Sequence, residues 1–324
     1  MDSRAAHNIE AYTLYLKGRH HWNKRSEPGL TSAISYFEQA IREDRNYAMA
    51  YAGLADCYSI MGFYTYRSPS SVYPRARELV LKALELDDNL AEAHASLGEV
   101  LMHYYRDWPG AEASLRRSIS LKPDYPTAHL WLATYLQARG TLEESILEEK
   151  KALELDPLSL ILNSDLAKSF YFLHRFAEAQ EQYRKTLEID PSFAIAHKGL
   201  GEVYAATGRY PEALAEIQQA LELSGGSLFI KDDLGFIYAL SGKADKAREI
   251  IEELRDASST RYVTPYGIAV IYFGLGEDGT GFQWLEKAYE DRCFMTFIKV
   301  DPMFDRLHND PRFLSLLNRI GLAG

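Results

Sequence analysis

Cysteine is nearly absent from these 324 residues: there are two, Cys57 and Cys293, far apart in the chain. Each is set among apolar neighbours, so buried free thiols are expected rather than a disulfide framework. A reducing, cytoplasmic setting follows. Long apolar runs are also missing. Nothing approaches the ~18 residues of a membrane span, and no signal peptide opens the chain. Positive charge is in deficit, with 36 basic against 46 acidic residues and a formal charge of -10. That argues against nucleic acid or an anionic membrane as the main partner of this region.

Catalytic constellations are scarce as well. No Ser–His–Asp or Cys–His set stands out. Gly274, Gly276 and Gly279 have the spacing of a dinucleotide-binding loop. That loop works only between a strand and a helix, and here it falls between two helices. His94, His129 and His197 recur at one repeat position and are expected to pack rather than ligate metal. Glu143, Glu144, Glu148 and Glu149 are expected to form a solvated helix face. No cofactor, no metal site and no enzymatic activity are expected.

What the chain does have is a period. Leu97-Gly98, Leu132-Ala133, Leu166-Ala167, Leu200-Gly201, Leu234-Gly235 and Ile268-Ala269 succeed one another at steps of 35, 34, 34, 34 and 34 residues. Around Leu200, the residues His197, Gly201 and Tyr204 share one helical face, and Ala213, Ile217 and Ala220 share another thirteen to twenty residues on. Small residues sit where two backbones must approach, and large ones fill the space between. Gly208 suits a left-handed turn and Pro211 the first turn of the next helix. Pro123, Pro157 and Pro191 end each unit, since proline cannot continue a helix. A single pair of helices cannot bury its own apolar faces, so neighbours must stack.

This pattern resembles the tetratricopeptide repeat family. The match at Leu200, Gly201, Tyr204, Ala213, Ile217 and Ala220 is close, and His replaces the family's usual first-position Trp. The resemblance implies an all-α fold, an α-solenoid in which about eight helix-turn-helix repeats form a right-handed superhelix, with a C-terminal capping helix. The expected layout is a frayed N-terminus at 1–10, then repeats at 11–45, 47–88, 90–123, 124–157, 158–191, 192–225, 226–259 and 260–293. Residues 294–324 form a C-terminal cap. Alternatively, the apolar stretch Phe294–Val300 folds back into the groove. The aromatic-rich opening helix, with no polar capping repeat before it, resembles the start of the repeat arm of bacterial multidomain regulators.

The resemblance further implies a protein-interaction scaffold that grips a peptide or protein segment in a concave groove lined by the first helix of each repeat. The groove residues then include Glu99, Met102, Leu130, Thr134, Lys168, Tyr171, Lys198, Glu202, Asp232, Phe236, Tyr266, Val270 and Phe273. The carboxylate-binding clamp of some family members is not matched. The long turn of repeat two adds Tyr64, Tyr66 and Tyr73 as loop contacts, unless its aromatics, beginning with Phe63 and Tyr64, pack on repeat one instead. A small-ligand sensor or repeat-built enzyme is the alternative. Monomer and homodimer are both compatible with the sequence.

Overall fold

Small-against-large packing at a 34-residue period calls for antiparallel helix pairs, and the computed structural model has them. It describes residues 3–323, and no strand occurs among the described residues. The helices are α1 (Ser3–Trp22), α2 (Glu27–Glu43), α3 (Ala48–Phe63), α4 (Pro69–Leu86), α5 (Ala91–Val100) and α6 (Trp108–Leu121). Next come α7 (Pro126–Arg139), α8 (Leu142–Leu155), α9 (Leu160–Phe172), α10 (Phe176–Ile189), α11 (Ala194–Ala206) and α12 (Tyr210–Leu223). The last are α13 (Leu228–Leu240), α14 (Ala244–Ala257), α15 (Pro265–Gly274), α16 (Asp278–Glu290) and α17 (Pro311–Arg319), with a 3-10 turn over Pro302–Leu307. Odd-numbered helices to α15 are the first members of eight hairpins, and even-numbered ones to α16 the second. Residues 1 and 2, from the stretch expected to fray, lie outside the described residues; α1 begins at Ser3.

The hairpins pack as the repeat requires. In α11 and α12, Leu200, Tyr204, Ala213, Ile217 and Ala220 are all buried. A Cβ added to Gly201 would lie 2.8 Å from the Ile217 side chain and 3.2 Å from the Ala213 carbonyl, so glycine lets the two backbones close up. Each of the eight A–B turns puts one residue in the left-handed region: Arg25, Thr65, Arg106, Gly140, His174, Gly208, Gly242 and Gly276, with φ from 52 to 83. Half of these are not glycine, so the geometry belongs to the turn and not to one residue type.

Two irregularities have physical causes. The one 35-residue step coincides with a π turn, Leu101–Tyr105, that continues α5. A single extra residue in a helix is taken up by an i→i+5 bulge, and the repeats after it keep their phase. In repeat two, the long turn expected over 62–73 is short. Helix α3 runs to Phe63 and α4 starts at Pro69, so the added residues lengthen the second helix. Val72 and Tyr73 thereby become buried helical residues.

Contacts divide the chain into two compact units, residues 1–132 and 133–324. In the first, α3 packs on α1, α2 and α5, and α4 packs on α5. In the second, α9 packs on α8 and α11, α11 on α10 and α13, and α13 on α12 and α15.

Candidate interaction surface

Within each unit first helices contact one another along one side, α1 with α3 and α3 with α5 in the first, and α9, α11, α13 and α15 in succession in the second. That inner side is where partner-binding residues are expected. In the first unit it is closed by its own polar side chains. The Arg19 guanidinium donates to Asp56 at 2.8 Å, and the Ser96 hydroxyl donates to the same carboxylate at 2.5 Å. Arg19 also reaches Thr127 at 3.4 Å. Two guanidiniums pack on the Trp22 ring, Arg19 at 4.1 Å and Arg25 at 3.4 Å. Asp56 is 2 % exposed, and burial pushes its carboxyl up to about 6 although Arg19 opposes the shift. Glu99, beside Ser59 and 3.7 Å from His103, is pushed up to about 8 by burial. Met102 and Leu130 are buried as well.

The aromatic turn residues of repeat two belong to the same packing. Phe63 ends α3 and stands 4.9 Å from Tyr64 and 5.4 Å from His103. The Tyr66 hydroxyl donates to the Arg25 carbonyl at 3.2 Å, and Tyr73 stacks on Tyr104 at 5.3 Å. Tyr64 and Tyr73 are buried and Tyr66 is half-buried.

In the second unit the inner side is covered by a segment outside the repeat pattern. Residues 294–301 cross α9, and the 3-10 turn Pro302–Leu307 lies against α15. Phe297 sits 5.1 Å from Phe172, with the Lys168 ammonium 4.6 Å over its ring. Tyr171 donates to Asp301 at 3.4 Å. Lys299 donates to the Arg139 carbonyl at 3.2 Å. Phe304 meets Tyr266, Phe273 and Phe313 at 5.8, 6.1 and 5.8 Å. Arg306 clamps Asp278 and the Phe273 carbonyl. Helix α17 then packs Phe313, Leu316 and Leu317 inward, and Arg319 pairs with Glu286. Phe297, Asp301 and Phe304 therefore meet side chains of α9 and α15, and α17 is joined to α16 by Arg319 and Glu286.

Charge collects beneath this segment. Lys198 pairs with Glu202 at 2.5 Å and Asp233 at 3.1 Å, and Asp232 accepts from the Asp233 amide at 3.0 Å. Burial pushes Asp233 and Asp301 up to about 7 each, with Glu202 adding to both and Lys198 opposing. Asp232 is raised for the same reason, burial first and Asp233 second.

Within each unit the expected groove residues are buried or half-buried. Thr134, Tyr171, Asp232, Val270 and Phe273 are buried, and Lys168, Lys198, Glu202, Phe236 and Tyr266 are half-buried. One further expectation needs correction. Glu149 is not on a solvated face: it is 1 % exposed and accepts from Gln137 at 2.7 Å and Ser169 at 2.9 Å. Burial also keeps its carboxyl well above the usual range. The recurrent histidines do more than fill space. The Nε2 atoms of His94, His129 and His197 bond the carbonyls of Asp88, Pro123 and Pro191 at 2.9–3.0 Å, tying each first helix to the turn before it. Asn163 does the same to Pro157 at 3.1 Å. The signal is present in the sequence as a polar residue six positions after each turn. No group of three or more His, Cys, Asp or Glu suited to a metal ion occurs among the described residues, and no described helix is long and apolar enough to cross a membrane.

Residues 105–159 and 164–227 match the tetratricopeptide repeat family. A 150-residue stretch, 46% of the chain, is 25% identical to the Transcriptional regulator HilA of Salmonella typhimurium. The matched stretch spans only 27% of that relative's length. Among solved structures, the chain is similar to the human IFIT1 dimer with m7Gppp-AAAA, at TM-score 0.57 and 14% identity over 81% of this chain and 68% of that one. It is also similar to the APC/C hetero-tetramer Cut9-Hcn1, at TM-score 0.51 and 17% identity over 70% of this chain and 46% of that one. At these identities the two structures speak to the fold alone.

Proposed function

We propose that this chain, which carries tetratricopeptide repeats, is a scaffold that binds a segment of a protein partner and acts as the regulatory or assembly arm of a larger bacterial regulator. The observation that carries the reading is the match of residues 105–159 and 164–227 to the tetratricopeptide repeat family, beside the 25% identity of a 150-residue stretch to part of a transcriptional regulator. Stacked helical hairpins offer long rows of side chains on fixed backbone, which suits the recognition of an extended or helical segment. The partner contact is assigned to the inner side of the first helices. Its aromatic end at Phe236, Tyr266 and Phe273 supplies anchors of the kind that dominate interface energies. The chain acts by binding and not by chemistry, in a cytoplasmic setting.

The test is affinity purification with mass spectrometry, comparing the wild-type chain with the Phe236→Ala/Tyr266→Ala double variant. The expected result is a partner set recovered by the wild type and depleted by the variant. An undiminished set would move the contact off this side of the repeats.

A further inference from the structure

We propose that residues 294–301 are a self-docked strap that keeps the inner side of α9 closed, so that a partner segment enters there only when the strap lifts. The proposal rests on the reading that this side receives a protein segment.

The strap's contacts are those of a bound peptide. Its internal backbone bonds are short-range turns, Ile298 to Met295 at 3.2 Å and Val300 to Phe297 at 2.9 Å. Its hold on the repeats comes from side chains: Phe297 on Phe172 and under Lys168, Lys299 on the Arg139 carbonyl, and Asp301 on Tyr171. An aromatic anchor, a cation capturing an orphan carbonyl at a helix end and a carboxylate meeting a hydroxyl are interactions a segment from another protein can reproduce. Both strap ends are fixed, at Cys293 after α16 and at Phe304, which is 1 % exposed. A loop held at both ends can lift without unravelling the helices it covers.

The docking also contains a built-in opponent. Asp301 caps the 3-10 turn, accepting from the Met303 amide at 3.1 Å. The groups facing it are Tyr171 on α9, Lys198 and Glu202 on α11, Asp233 on α13 and Tyr266 on α15. One cation faces two carboxylates there before Asp301 is counted, so an ionised Asp301 weakens the fit. Because its carboxyl is raised from the ordinary 3.8 to about 7, the penalty is absent below about 4 and complete above about 7. The strap is held more tightly in mild acid than at pH 8.

Hydrogen exchange of the full chain tests this, with intrinsic rates corrected for pH. Amides of 295–301 should exchange on the order of tenfold faster at pH 8 than at pH 6. Asp301→Asn keeps the cap and removes the charge, and should abolish that difference. Phe297→Ala should free the strap at both pH values while circular dichroism stays helical. A fluorescent synthetic peptide of residues 294–303 should then bind the Phe297→Ala chain at least about tenfold more tightly than the wild type. Strap amides that exchange only with global unfolding, in wild type and Phe297→Ala alike, would overturn the proposal. So would a peptide that binds neither chain, or both equally. These readouts need no partner. A strap that opens as described in a chain whose partner recovery ignores Phe236 and Tyr266 would sink the functional reading alone.

Discussion

The two units share one repeat and close their inner sides differently. In residues 1–132 the closure is built into the repeats, with Arg19, Asp56 and Ser96 bonded helix to helix. In residues 133–324 the closure is an added segment lying over side chains of α9 to α15. The difference matters because a ladder of buried charges belongs to the fold, and removing one member leaves another uncompensated. In the second unit the covering segment is non-repeat chain that buries Met295, Phe297 and Ile298, and its release is the step proposed above. The first unit thus resembles a filled core, and the second a site with an occupant.

Three substitutions can break or sharpen this contrast. The largest effect is expected from Phe304→Ala, which empties a fully buried aromatic position at the strap's anchor. Chemical denaturation should register a loss of about 4 kcal/mol. A loss below about 1 kcal/mol would mean that the anchor is as dispensable as the strap.

Arg19→Met should cost about 3 kcal/mol at pH 7, because Asp56 remains buried without its cation. Asp56 is raised from 3.8 to about 6, so it burdens the folded state only when ionised. The cost should therefore shrink as pH falls from 7 toward 4. Equal losses at pH 4.5 and 7.5 would show that the ladder holds by packing and not by charge.

The smallest effect concerns what the units share. Gly208 has φ +73 and open space where a Cβ would go. Gly208→Ala should lower stability by about 1 kcal/mol, from backbone strain alone. Thermal melting that reveals a loss of 3 kcal/mol or more would mean that this turn carries contacts its counterparts at Thr65 and Arg106 do not.

Much of the fold is legible in the sequence because it is local and periodic. The Leu-Gly pairs, the alanines facing them and the prolines after each second helix specify hairpins over stretches of about 34 residues. The 35-residue step even marks the place of the π turn, although a spacing cannot say how a helix absorbs one more residue. The repeat-two insertion reads as a long turn because its residues exceed the plain repeat and include Pro69; proline also starts helices, and α4 begins on Pro69. Glu149 reads as solvated because its neighbours Glu143 and Glu144 are exposed, and only the position of Ser169 and Gln137 reveals that it is enclosed.

The sequence by itself determined the repeat, its phase and therefore which side chains line up along the first helices. Helical periodicity acts within one hairpin and its neighbours, so one chain read end to end carries that information. Only the tertiary structure decided whether the row lies open. Lys168 meets Phe297, Tyr171 meets Asp301 and Arg139 meets Lys299 across more than 120 residues, between a periodic and a non-periodic segment. Such contacts are selected by shape and charge in three dimensions, and nothing in the spacing of residues announces them.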